Sequence, residues 1–541
     1  MRTSTASLLA FAVPALATAG GGPGHGHDGP KGPGCGGGPG GPKPALVNSE
    51  KLQALINIED LVAGSQNLQD IANAHGGNRA FGGGGHNATV DYLYEALTAL
   101  DYYDVVKQPF TEIYSEGKGS LTVDGEDIQA DTLTYTPGGE ATKPLVAVAN
   151  LGCDAADYPA EVSGNIAFIS RGTCPFSQKS INAKAAGAVA AIIYNNEAGE
   201  LAGTLGEPFK EYAPVVGISQ EDSKVILEKL AQGEVTATVK IDALVEERVS
   251  YNVIAETKGG DHNNVLVLGG HTDSVPAGPG INDDGSGTIG ILTVAKALAK
   301  FRVKNAVRFA FWSAEEFGLL GSYFYMNSIN GSDTEVAKIR AYLNFDMVNT
   351  SIPLHPTTHE ATLTSAQIAS PNYIYGIYDG DGNAFNLTGP AGSDVIEKDF
   401  ENFFKSKNSP SVPTEFSGRS DYAAFIENGI PSGGLFTGAE VLKTEEEAKL
   451  FGGEAGVAYD INYHKIGDDI NNLALDAYLL NTQAIADSVA KYALSFKTLP
   501  PVETKTRRWD ADRARMLKRS GGSHGHAGHT HSGPCGGGAE I

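Results

Sequence analysis

VLVLGGHTDSVPAGPGINDDGSGTIGILTVAKALAKF, residues 265–301, changes texture part-way along. Residues 265–268 form an apolar run of strand length that ends in Gly269-Gly270. Across 288–301, Ile289, Leu292, Ala295 and Leu298 recur three residues apart, which predicts a helix. Outward from this unit, 307–311 and 342–345, apolar but for Arg308 and Asn344, read as two further strands. Strands alternating with helices predict an α/β fold, a largely parallel sheet with helices on both faces. Such a sheet gathers ligands beyond the carboxyl ends of its strands.

Polar residues fall at those ends. His271-Thr272-Asp273 follows LVLGG, Glu315-Glu316 follows FAFWSA, Asp346 follows AYLNF, and Asn282-Asp283-Asp284-Gly285 lies between the first two. A single acid after a strand caps the next helix, and that reading suits Asp284. It does not suit a histidine, a glutamate pair and an aspartate delivered to one sheet edge, because clustered carboxylates repel unless a cation compensates them. Imidazole and carboxylate donors without thiolate suit zinc among other divalent ions. The donors are more than one catalytic ion needs, whereas two ions about 3.5–4 Å apart, bridged by a carboxylate, would use them. One of the adjacent glutamates then binds metal while the other removes a proton from water. Spacing alone does not say which.

Upstream, helical apolar spacing over 47–74 and 89–100 flanks a glycine-rich loop at 82–85. From about 129 to 246, short β-rich runs such as 145–149 and 165–170 alternate with Gly/Pro turns. Within this stretch, DYPAEVSGNIAFISRGTCPFSQKSINAKAAGAVAAIIYNN (157–196) resembles the protease-associated (PA) domain, a β-rich module inserted in several exopeptidases. Arg171-Gly172, Cys174-Pro175-Phe176 and Ala185-Ala186-Gly187-Ala188 carry the likeness. No catalytic constellation lies in the segment, and the resemblance implies a role in substrate access or partner contact. Cys153 and Cys174 both fall within 129–246 and are the candidate disulfide. Cys35 and Cys535 lie in the tails, where a bond between them and two free thiols are equally open.

The motifs H-T-D (271–273), N-D-D-G-S-G (282–287), W-S-A-E-E-F-G-L-L-G-S (312–322), N-F-D-M-V (344–348) and N-Y-H-K (462–465) occur in that order. Together they resemble the M28 metallopeptidase family, in particular its secreted zinc aminopeptidases with a PA insert, and the likeness spans 46–498. The resemblance implies a mixed, largely parallel zinc-exopeptidase sheet built from 46–128 and 247–498, interrupted by the PA domain at 129–246. It implies two zinc ions per subunit, with His271 and Asp346 on one, Glu316 and His464 on the other, Asp283 bridging and Glu315 as general base. It also implies that Asp273 hydrogen-bonds to His271, that the Asp283-Asp284 peptide is cis, that Tyr463 donates to the scissile carbonyl oxygen, and that Arg419 shapes the substrate site. Only this pattern raises His464 above His86, His355 or His359. Some relatives have a cysteine near that histidine; here Ile461 and Gly467 stand in the neighbourhood, and no disulfide is expected in that loop. The implied reaction is hydrolysis of the first residue from peptides with free N-termini. A carboxypeptidase or dipeptidase of the same clan is the alternative, ahead of a glutaminyl cyclase or a metal-free receptor-like relative.

The remaining sequence bounds where this chemistry would operate. At 541 residues the chain exceeds one compact core, and 41% apolar with 19% charged residues is ordinary for a soluble protein. The 40 basic and 64 acidic residues give −24, a balance that repels nucleic acid and anionic membranes. Residues 1–19 read as a signal peptide: Arg2, an apolar stretch at 8–16 too short to span a bilayer, and the small-residue cleavage site Ala17-Thr18-Ala19. A secreted, extracellular monomer is expected, with the vacuolar lumen as the alternative location. Sequons at Asn87, Asn330, Asn349 and Asn386 are the candidate glycan acceptors. The Gly/Pro/His-rich segment 20–45 and the Gly/His-rich end 520–541 of the extension 499–541 read as flexible tails without assigned chemistry, whereas 505–518 is charged and helix-compatible, an appended helix or a removed extension.

Overall fold

In the computed structural model, which describes residues 44–208, 210–349 and 372–500, the strand Asp261–His271 is buried from Val265 onward. It pairs in parallel with Asn305–Trp312 on one side and Ile339–Phe345 on the other. A strand covered on both faces needs an unbroken apolar run, which is what 265–268 supplies. Outside this parallel centre, Ile339–Phe345 pairs in parallel with Ser432–Phe436, which runs antiparallel to Gly376–Tyr378. On the far side Asn305–Trp312 is antiparallel to Thr236–Thr257. The sheet is therefore mixed with a parallel core.

Alternate side chains along the central strand serve opposite layers. Leu266 and Leu268 join the core beneath the helices Ile58–Ala74, Gly84–Thr98, Gly285–Leu298, Ser393–Ser406 and Leu475–Leu494. Val265 and Val267 pack on the other face with Trp312, Tyr342 and residues of Leu320–Ile329 and Tyr422–Ile426. The helix expected at 288–301 runs from Gly285 to Leu298, because the Asp284 carboxylate caps the Gly287 N–H. The glycine-rich loop also differs from expectation, since Gly84 and Gly85 already belong to the helix Gly84–Thr98. A Cβ on Gly85 would lie 2.2 Å from the Asn78 carbonyl oxygen, so this turn requires glycine.

The insert is joined by a ribbon rather than by linkers. Tyr103–Val123 and Thr236–Thr257 pair antiparallel in unbroken register from Tyr103↔Thr257 to Val123↔Ala237. One end of the ribbon carries Asn305–Trp312, and the other carries Gly139–Ala147. Beyond it Ile166–Ser170, Ala190–Tyr194 and Val215–Ile218 continue in parallel, with Phe176–Ala185 and Gln220–Leu230 packed against them. Leu121 and Val123, which the sequence reading placed in the first peptidase part, are buried in the core of the insert. Cys153 and Cys174 are joined by a disulfide within the insert.

Asn349 corrects one expectation. It is fully buried and its side-chain oxygen accepts the Ala474 N–H, so this fold has no room for a glycan there. Asn87, Asn330 and Asn386 are exposed. Among the described residues no helix is long and apolar enough to cross a membrane. Residues 1–19, most of both tails with Cys35 and Cys535, and His355 and His359 lie outside the described residues.

Candidate metal centre

Each candidate donor except His464 is delivered beside the end of a regular element. His271 is the last residue of the central strand; its N–H donates to Asp284 Oδ2 at 3.0 Å, and its carbonyl accepts the Thr288 hydroxyl at 2.5 Å. Asp283 and Asp284, joined by a cis peptide, precede the helix Gly285–Leu298. Glu315 and Glu316 follow Asn305–Trp312 after a turn in which Ala314 has φ +58°, and Asp346 follows Ile339–Phe345. His464 stands in an irregular loop, itself at φ +56°.

These side chains converge. His271 Nε2 lies 3.1 Å from Asp283 Oδ1, 3.7 Å from Asp346 Oδ1 and 3.8 Å from Glu315 Oε2. His464 Nε2 lies 3.2 Å from Asp283 Oδ2 and 3.1 Å from Glu316 Oε2. Asp283 therefore turns one oxygen toward each imidazole and divides the group into two halves. Donor atoms of His271, Asp283 and Glu316 fall within 4.8 Å of one another. Asp284 also approaches His271 and Asp346, but its carboxylate already accepts the N–H groups of His271, Gly287 and Met347, which makes it a cap.

Burial and mutual repulsion disfavour several charged carboxyls in one group. Burial pushes the Glu315 carboxyl well above the usual range and raises Glu316. Burial opposes charge on His271, yet the Glu315 and Asp346 carboxylates raise its pKa well above normal. Several buried acids around two imidazoles need cationic compensation. The donor set, imidazole nitrogen and carboxylate oxygen without thiolate, fits zinc.

The family model for peptidase family M28 matches residues 252–489, and that for the PA domain matches 141–226. The probable leucine aminopeptidase 2 of Aspergillus fumigatus is 53% identical over 505 residues, covering 92% of this chain and 95% of that protein. The chain belongs to peptidase family M28. Leucine aminopeptidase 2 of Trichophyton rubrum is 50% identical over 89% of this M28 chain and 93% of its own length. Among solved structures, the aminopeptidase from Aneurinibacillus sp. strain AM-1 is similar with a TM-score of 0.60 at 26% identity, over 84% of this chain and 97% of that one. A medium-resolution structure of a zinc aminopeptidase from Bacillus subtilis gives 0.56 at 26%, over 84% and 98%.

Around the donors, the M28 chain builds supports that motif reading only partly foresees. The Asp273 carboxylate accepts the N–H groups of Glu315 (3.1 Å) and Glu316 (3.3 Å), so it aligns the glutamate pair. Its nearer contact to His271 is through its carbonyl, 3.2 Å from Nδ1, with the carboxylate at 3.7 Å. Asp468 accepts the N–H groups of Asn282 (2.8 Å) and Asp283 (3.0 Å), and Asp460 accepts Asn282 Nδ2 (2.8 Å). Ser420 donates to Asp346 Oδ2 at 2.6 Å at the end of a buried chain from Trp312 through Tyr342 and Asn344. Sequence reasoning missed Asp460, Asp468 and Ser420. The available signal was proximity, since Asp468 stands four residues after His464 and Ser420 directly after Arg419.

At the mouth, Arg419 donates to Tyr463 Oη at 3.3 Å and to Glu440 Oε1 at 2.6 Å. The Tyr463 ring stacks on His464 with centroids 3.8 Å apart. Val275 and Lys465 line a small recess against Asp283, Glu316 and His464. His86 is buried but bonds to Thr272 Oγ1 at 2.9 Å, away from the donor set.

Proposed function

We propose that this M28 peptidase is a secreted aminopeptidase that uses two zinc ions to hydrolyse the first residue from peptides. The observation that carries the two-ion reading is Asp283, whose two oxygens face two different imidazoles. His271 and Asp346 would hold one ion, His464 and Glu316 the other, and Asp283 both. The names of the relatives, leucine aminopeptidase and zinc aminopeptidase, support the free N-terminus as the point of attack and zinc as the metal.

Zinc, when bound, lowers the pKa of a coordinated water and polarises the carbonyl to be attacked. The surrounding residues supply the proton transfers. Glu316 is committed to the donor cluster with His464, which leaves Glu315 as the base that takes the water proton and returns it to the leaving amine. Tyr463, held by Arg419, donates its hydroxyl to the carbonyl oxygen as negative charge develops. Asp273 keeps both glutamates aimed through their backbone N–H groups.

The test is metal analysis of the secreted protein with activity on leucyl-p-nitroanilide before chelation, after it, and after zinc is returned. Two zinc per chain and activity that follows the metal are expected. Full activity in stripped protein, or cleavage confined to N-blocked peptides, would overturn the reading. N-terminal sequencing of the protein from culture medium tests export directly.

A further inference from the structure

Arg79 precedes the helix Gly84–Thr98, and its side chain is fully buried. A buried guanidinium needs acceptors for its fixed fork of N–H donors. Arg79 finds them on the main chain: Nε donates to the Pro279 carbonyl at 2.8 Å, Nη2 to that of Gly280 at 2.5 Å, and Nη1 to that of Thr272. Its own N–H donates to Ser274 Oγ at 2.9 Å, and its carbonyl accepts the Ser274 N–H at 3.3 Å.

All of these partners lie in residues 272–280, part of the connection from His271 to Asp283. That connection contains neither helix nor strand, so its path depends on bonds of this kind. Gly280 shows how closely the parts meet. It has φ +62°, and a Cβ there would stand 2.3 Å from the Asp283 carbonyl oxygen and 3.3 Å from Arg79 Nη2. Burial lowers the pKa of this guanidinium, while the Asp273, Asp468, Asp284 and Asp283 carboxylates favour its charged form. Its charge is therefore shared among several aspartates of the acidic group, Asp273 first among them.

We infer that Arg79 is a positioning residue for the metal centre, fixing the connection between His271 and Asp283 and placing a permanent positive charge beside their carboxylate neighbours. The inference rests on the two-zinc reading above.

The experiment uses the full chain, stripped of metal, with zinc affinity measured by competition against a chromophoric chelator well below each variant's melting temperature. Arg79→Lys keeps the charge and loses the fork; Arg79→Gln loses both. Affinity is expected to fall about 10-fold in the first and about 100-fold in the second. Leu93→Ala, a core change in the helix that follows, is expected to melt lower yet bind zinc as the parent does. Parental affinity in both Arg79 variants, or an equal loss in Leu93→Ala, would overturn the inference. Should Arg79→Gln not fold, Ser274→Ala carries the test, with weaker zinc binding expected and unchanged affinity counting against the assignment. Parent protein that takes up no zinc sinks the proposed function as well, whereas zinc uptake indifferent to Arg79 sinks only this inference.

Discussion

Ser420 Oγ donates a 2.6 Å hydrogen bond to Asp346 Oδ2 while accepting one of 2.8 Å from Asn344 Nδ2. The hydroxyl therefore fixes the orientation of one proposed ligand from behind. Ser420→Ala is predicted to lower kcat about 10-fold and to weaken zinc retention during dialysis. It also strands the Asn344 amide, so a stability loss of about 1–3 kcal/mol is expected by denaturant titration.

Glu315→Gln removes the proposed base and leaves the donor cluster intact. It is predicted to keep zinc content near that of the parent while kcat falls by a factor of about 100 or more. Turnover close to the parent's would remove Glu315 from the mechanism.

Asp273→Asn replaces one acceptor oxygen with a donor opposite the N–H groups of Glu315 and Glu316. The glutamate pair then loses its alignment. A fall in kcat of about 10- to 100-fold is expected with KM little changed. A change confined to KM would contradict this role.

Glu397 lies away from the donors and accepts the N–H groups of Gly380 and Asp381 at 3.0 Å. Burial is the main cause that pushes its carboxyl from 4.5 up to about 7. Between those values the folded protein holds a proton that the unfolded chain has released, so this group's contribution to stability falls as pH rises. Glu397→Gln lacks the effect. Its stability relative to the parent is predicted to climb from pH 4.5 to 7 and then level off, as checked by urea unfolding at several pH values.

The Cys153–Cys174 bond closes a 21-residue separation inside the insert. Replacing both cysteines with serine is predicted to destabilise the insert by about 3 kcal/mol from loop entropy. Hydrogen exchange is expected to rise there, with the helix Gly285–Leu298 still protected.

Much of the peptidase sheet was legible because 265–268 is a continuous apolar run and 307–311 and 342–345 are apolar but for Arg308 and Asn344, the pattern that burial on both faces favours. Five of the polar side chains at its edge were legible for the same reason, since each ends or follows one of those elements. His464 was different. It sits on an irregular loop at φ +56°, where no periodicity marks it, and only the motif around it singled it out. Asp460 and Asp468 stayed hidden because their partners lie 178 and 185 residues away. The sequon at Asn349 likewise carries no information about burial, and the chain folds that residue inward.

The 21-residue strand Tyr103–Val123 belongs to two bodies at once. Cutting the gene at the ends of the insert would divide a hairpin and bare a long sheet edge on each fragment, an invitation to aggregation. Neither fragment is then expected to behave as a free-standing module. Motion of the insert over the peptidase would have to flex or twist a paired ribbon, a spring rather than a tether.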